Sequence, residues 1–126
     1  MWYREARWKA RLLLEQALMR ERFPQFILTR GVGGTLVWRG VLEPVRGSRF
    51  EITATMPTNY PYAAPALHVI KPRLRPSAPH LYQGTMDLCI HKASWLPTRS
   101  TVASMIPLAS AWLVAYLNWE RTGEAF

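Results

Sequence analysis

The nine residues Pro57-Thr-Asn-Tyr-Pro-Tyr-Ala-Ala-Pro65 constrain this chain more than any other stretch. Each proline fixes φ and removes an amide donor, and each biases the residue before it toward extended backbone. The segment is therefore neither helix nor central strand. It predicts a rigid, extended crossing.

Before the crossing, Trp2 to Phe23 reads as an amphipathic helix. Leu12, Leu13, Leu14, Ala17, Leu18 and Met19 supply apolar positions, and neither Gly nor Pro interrupts before Pro24. Glu5 and Lys9 have the spacing of a helix-stabilising pair. The period then changes to two. Phe26–Thr29, Leu36–Leu42 and Phe50–Met56 read as strands, the second broken by Gly40 and ended near Pro44. Gly31-Val-Gly-Gly34 is hairpin chemistry, because no Lys-Ser/Thr or helix start follows to make it a phosphate loop. Short connections predict an antiparallel meander.

After the crossing, Ala66–Ile70 reads as a fourth strand, with His68 a structural histidine. A basic, proline-punctuated segment, Lys71–Ala78, leads into an irregular loop; roughly 25 residues without periodicity are uncommon in a compact domain and tend to be functional. A second helix closes the pattern. Pro107 suits its first position, Leu108, Trp112, Ala115, Tyr116 and Trp119 share a core-facing side, and Gly123 stops it. The expected fold is α+β over residues 1–126 as one domain: helix, four-stranded antiparallel meander, long loop, helix.

That loop holds the only cysteine, Cys89, with His80, Tyr82, Gly84, Asp87 and His91 around it and Trp95-Leu-Pro97 closing the segment. A single cysteine read alone is a small buried hydrophobe. It forms no internal disulfide, and the 3 histidines are too scattered for a zinc site with it, so no metal or cofactor is expected. No apolar run approaches the roughly 18 to 20 residues of a membrane span, and the charged N-terminus lacks a signal-peptide core. A reducing cytoplasm fits a lone thiol. The 126 residues suffice for a core without disulfides, and a net charge of +8 implies an acidic partner: nucleic acid, an anionic membrane or an acidic protein face.

The element order and three motifs resemble the ubiquitin-conjugating enzyme (UBC) family over nearly the whole chain. Met56-Pro-Thr-Asn-Tyr-Pro-Tyr-Ala-Ala-Pro65 is similar to the family's Pro-x-x-Tyr-Pro-x-x-Pro-Pro crossing, with Ala64 in place of one proline. His80…Gly84…Leu88-Cys89-Ile90 is similar to its active-site segment, and Trp95-Leu-Pro97 to the Trp-x-Pro that follows the cysteine. His80 is followed by Leu81-Tyr82, so the Pro and Asn of the family's His-Pro-Asn tripeptide are both absent. Trp38-Arg-Gly-Val-Leu-Glu-Pro44 and the ending Trp112-Leu-Val-Ala-Tyr-Leu-Asn-Trp-Glu-Arg-Thr-Gly123 look like the compact bacterial relatives found in antiphage operons, beside cyclic-nucleotide synthases or ubiquitin-like modifiers.

The resemblance implies a nucleophilic Cys89 that accepts a C-terminal carbonyl from an activating enzyme and passes it to an amine. The carried group is a ubiquitin-like protein or the C-terminus of a cyclic-nucleotide synthase. His80 would hold the loop, Tyr82 stands near the missing Asn with a hydroxyl donor, and His91 is placed to deprotonate the amine; each has an equal claim to a structural role. Asp87 would orient an imidazole or cap a turn. Arg4, Arg7, Lys9 and Arg11 on the first helix would dock the activating enzyme. Two other readings stay open: an inactive UBC-like interaction module, and a basic nucleic-acid-binding domain using Lys71, Arg73 and Arg75.

Overall fold

The computed structural model describes residues 1–90 and 94–126. Helix α1 (Ala6–Arg22) precedes β1 (Ile27–Arg30), β2 (Leu36–Val45), β3 (Ser48–Thr55) and β4 (Ala66–Lys71), and α2 (Val102–Thr122) follows. The strands form one antiparallel sheet in the order β1-β2-β3-β4. The fold is the expected α+β arrangement, with short connections after β1 and β2 and the proline-rich crossing joining β3 to β4. Strand alternation sends Leu36, Trp38 and Leu42 of β2, Phe50, Ile52 and Ala54 of β3, and Leu67 and Val69 of β4 into one core.

Strand β2 runs on through Gly40 and Pro44. A Cβ at Gly40 would lie 2.7 Å from the Phe26 ring, so glycine there admits a close aromatic contact instead of ending the strand. Pro44 falls inside a register shift between Leu42 and Val45, where its missing N–H breaks no regular ladder.

The helices depart from expectation at their ends. Trp2–Arg4 forms a separate 3-10 turn, and extended backbone at Glu5 (φ −72°, ψ 134°) sets it apart from α1. Glu5 pairs with Arg7 at 3.1 Å rather than with Lys9, because it sits outside the helix. Helix α2 begins at Val102, so Pro107 lies inside it. A reciprocal cap sets that start: Ser104 N–H donates to Thr101 Oγ1 (3.2 Å) and Thr101 N–H to Ser104 Oγ (2.9 Å). Gly123 ends α2 in the left-handed conformation (φ 79°), as expected. By length and composition α2 could cross a membrane, yet Ile106, Ala109 and Leu113 are completely buried in the same core as the sheet.

Helix α1 is attached through Trp8, Leu12, Leu18 and Met19, which pack on the core, and through a buried polar network. Leu13 and Leu14 are 68% and 50% exposed, whereas Met19 and the acidic Glu15 are fully buried. The Glu15 carboxylate accepts from Arg11 Nε (2.8 Å), from the Tyr60 hydroxyl and from Val102 N–H (2.9 Å). Val102 is the first residue of α2, so the carboxylate satisfies an orphan amide where the helix dipole favours negative charge. Arg11 also donates to the carbonyls of Pro97 (2.6 Å) and Ser100 (2.7 Å). Burial, then the Glu15 charge, holds the Tyr60 phenol far above its ordinary value, so it stays a donor. Tyr60 lies in the proline-rich crossing and packs between Trp2 (5.0 Å) and Trp95 (5.7 Å), and Trp95 Nε1 donates to Pro61 O at 2.7 Å.

Glu15→Ala leaves Arg11 buried without its partner and is expected to cost about 3–5 kcal/mol of stability. Adding Arg11→Ala to that background should cost less than Arg11→Ala alone, as urea unfolding of the four proteins will show. Strictly additive losses would contradict a shared network.

Candidate active site

The segment around Cys89 is a short paired arm rather than an irregular loop. Leu81 and Leu88 form an antiparallel bridge, flanked by Cys89 N–H to His80 O and Tyr82 N–H to Asp87 O, both 2.9 Å. Leu88 N–H donates to Leu67 O (2.8 Å), which fastens the arm to β4. Leu81 and Leu88 are buried, so strand alternation turns His80, Tyr82, Asp87 and Cys89 to the other side. The pairing depends on unusual backbone: His80 (φ 57°) and Met86 (φ 62°) occupy the left-handed region, and Gly84 does not.

Cys89 is a free thiol of intermediate exposure at the edge of an apolar cavity of about 360 Å³. The Tyr82 hydroxyl hydrogen-bonds to it, and this contact, more than its slight burial, raises the phenol above its ordinary value. The contact with sulfur disfavours ionisation of the phenol, so the neutral O–H is favoured. Tyr82 itself is 39% exposed. His80 contributes mainly through its backbone. Its carbonyl accepts from Cys89 N–H and from Trp112 Nε1 (3.1 Å), which ties the arm to α2. Its imidazole Nε2 donates to the backbone oxygen of Phe126, so that nitrogen carries the proton.

Residues 15–124 match the sequence model of the family described as Type II CBASS E2 protein. The chain belongs to that family. It is thereby an E2-like protein of CBASS antiphage systems, consistent with the bacterial, antiphage resemblance of its motifs. No curated protein matches the chain by sequence.

The remaining predicted residues of this E2-family chain divide into three groups. Asp87 meets neither His80 nor the thiol: it pairs with His68 Nδ1 across 3.2 Å, which joins the arm to β4 and makes His68 a structural histidine. His91 lies outside the described residues. Of the four predicted docking cations, Arg4 and Lys9 are exposed, and Arg7, also exposed, pairs with Glu5 and lies 5.2 Å from the Trp8 ring centre. Arg11 is the correction. Glu15, one turn further on, draws its guanidinium inward, and its donors are committed to the network that holds the loop after Cys89.

Sequence reasoning missed Glu15, Phe126 and the groove face of α2. Leu108 and Ala115, read as core, line the cavity beside Cys89 with Ala111, while Trp112 and Tyr116 are buried as expected. The start of α2 at Val102 and the position of the arm leave this part of its surface facing the thiol.

The contact between Tyr82 and Cys89 has a direct spectroscopic consequence. With ¹³Cζ-tyrosine labelling, Cys89→Ala should lower the Tyr82 titration midpoint toward the ordinary phenol value, because the partner that disfavours the phenolate is gone. An unchanged midpoint would show that the thiol does not govern this phenol.

Proposed function

We propose that Cys89 carries a C-terminal acyl group as a thioester and delivers it to an amine. The observation that carries this reading is a half-exposed thiol, at the mouth of an apolar cavity, with a phenolic O–H hydrogen-bonded to it. The family membership sets the reaction class. In loading, the Cys89 thiolate attacks the carbonyl carbon of a thioester on the activating enzyme, and that enzyme's thiolate leaves. In discharge, an acceptor amine attacks the Cys89 thioester, the amine proton passes to a base, and the Cys89 thiolate leaves. Both steps place negative charge on the carbonyl oxygen beside Cys89.

Tyr82 is the donor available for that oxygen among the described residues of the arm. It takes the role that the missing asparagine has in related enzymes, and its raised phenol value keeps the proton in place. His80 acts as a positioning residue, since its carbonyl fixes the Cys89 amide and its imidazole points to Phe126. His91 is assigned as the base for the incoming amine. Arg4, Lys9 and, after release from Glu5, Arg7 steer the activating enzyme to α1. The carried chain is a ubiquitin-like protein or the C-terminus of a cyclic-nucleotide synthase, in a cytoplasmic defence reaction.

Incubation with the activating enzyme and its donor should give a reductant-sensitive adduct. Cys89→Ser should give a reductant-stable ester or none, and Cys89→Ala none; an adduct on the alanine variant would disprove the carrier reading. Tyr82→Phe should slow both loading and discharge by about 100-fold in single-turnover assays, the scale of one lost oxyanion donor. A loss confined to stability would make Tyr82 structural. Arg4→Glu with Lys9→Glu should slow loading at low salt and converge on the parent rate as salt screens the charges.

A further inference from the structure

The cavity beside Cys89 is bounded on one side by the arm and on the other by α2. Its walls are Cys89, Ile90, Leu108, Trp112, His80 and Phe126, and they are almost wholly apolar. Leu108 is 42% exposed although it belongs to a helix whose other side is core, so this strip of α2 is open. One aromatic ring already occupies its edge. Gly123 turns the chain back after α2, and the Phe126 ring then packs edge-on against Trp112 at 5.5 Å and against His80 at 5.4 Å. Its backbone oxygen accepts the His80 Nε2 proton.

We propose that this groove is a subsite for one aromatic or large apolar side chain of the carried polypeptide, close to the acyl carbon, and that Phe126 is its resident competitor. The occupant's identity rests on the carrier reading of Cys89; the groove's preference does not. A peptide whose carbonyl is bonded to the Cys89 sulfur has to leave the site along a wall of the groove. Extended backbone advances about 3.3–3.6 Å per residue, which brings the side chain one or two residues before the carbonyl against Leu108 and Trp112. The space of about 360 Å³ holds a ring together with a stretch of backbone. Among the described residues no side-chain carboxylate, ammonium or guanidinium lines the groove, so a charged side chain would lose water there without gaining a partner from them. Phe126 shows that a phenyl ring fits the wall, where the described residues hold it through Trp112, His80 and one hydrogen bond. Entry of the donor side chain then breaks the bond from His80 Nε2 to Phe126 and frees the imidazole at the moment the site is filled.

The test uses the intact chain and two pairs of probes. Iodoacetamide and N-benzyliodoacetamide alkylate Cys89 with the same bond changes: a sulfur–carbon bond forms, iodide leaves and the thiol proton goes to solvent. Mass spectrometry should show the benzyl reagent reacting about tenfold faster than iodoacetamide, the scale of one apolar group filling a pocket. Ala111→Trp, at an exposed helix position, fills the groove and should bring the ratio near one, while Phe126→Ala should raise it. In the second pair, mercaptoethanesulfonate thioesters of acetyl-Phe-Gly and acetyl-Asp-Gly transfer their acyl group to Cys89 with release of the sulfonate thiol, and the Phe compound should react faster. Equal alkylation rates in the parent protein, or a ratio that Ala111→Trp leaves intact, would overturn the groove. An unchanged ratio in Phe126→Ala would overturn the competitor. A benzyl preference without a preference between the thioesters would overturn the donor assignment. Because the alkylation pair needs no activating enzyme, a benzyl preference in a chain that never forms the natural adduct would uphold the groove and refute the carrier reading alone.

Discussion

One buried carboxylate governs the assembly of this chain. Glu15 is fully buried, and such a charge is tolerated only when its neighbours supply the hydrogen bonds that water no longer can. Its donors come from three distant places: Arg11 on α1, Tyr60 in the proline-rich crossing and the Val102 amide at the start of α2. The carboxylate thus adds to the apolar packing of Trp8, Leu12, Leu18 and Met19 that seats α1 on the core. Arg11 extends the arrangement to Pro97 and Ser100, so the stretch leading from the active-site segment into α2 is held from below by the first helix. The first helix and the segment that follows Cys89 thus share one support.

The arm that carries Cys89 uses a second economy of polar groups. Two buried leucines anchor one side of it, and the His80 carbonyl accepts two protons, from the Cys89 amide and the Trp112 indole. The backbone of His80 therefore fixes the height of Cys89 over α2. Its side chain is left for a different contact, with Phe126. A histidine at this point is defined by both functions, and its left-handed backbone allows the carbonyl and the ring to face separate partners.

Strand alternation and the proline spacing made the sheet legible, because both are local properties with one dominant solution. The shape of the active-site arm was not. Its pairing rests on positive φ at His80 and Met86, a conformation uncommon for any residue but glycine, while the obvious turn former, Gly84, takes an ordinary conformation. Arg11 illustrates the same limit for charge. In a helix with many cations nothing distinguishes it, until the fold shows that the carboxylate one turn away is buried. Cys89 and Tyr82 were singled out for another reason: motif order pointed to the cysteine, and chemistry picked out the hydroxyl near the vacant asparagine position. Whether that hydroxyl reached the sulfur depended on the two-residue alternation of an arm that had no readable period.

A phenol in place of an amide as the proposed donor would change the electrostatics of the site. An amide N–H donates at any pH, whereas a phenol donates only while neutral; once ionised it would repel the very oxyanion it is proposed to stabilise. The Cys89 contact works against that loss, since the hydrogen bond to the thiol and the charge of a thiolate both push phenol ionisation upward. In the proposed carrier reaction this contact would keep the Tyr82 donor protonated before the acyl group arrives. Thioester formation would then end the sulfur's claim on the proton and leave the O–H for the neighbouring carbonyl oxygen. Proximity of Tyr82 to sulfur is the geometry a relay of this kind requires, with one proton shared first with sulfur and then with the proposed oxyanion.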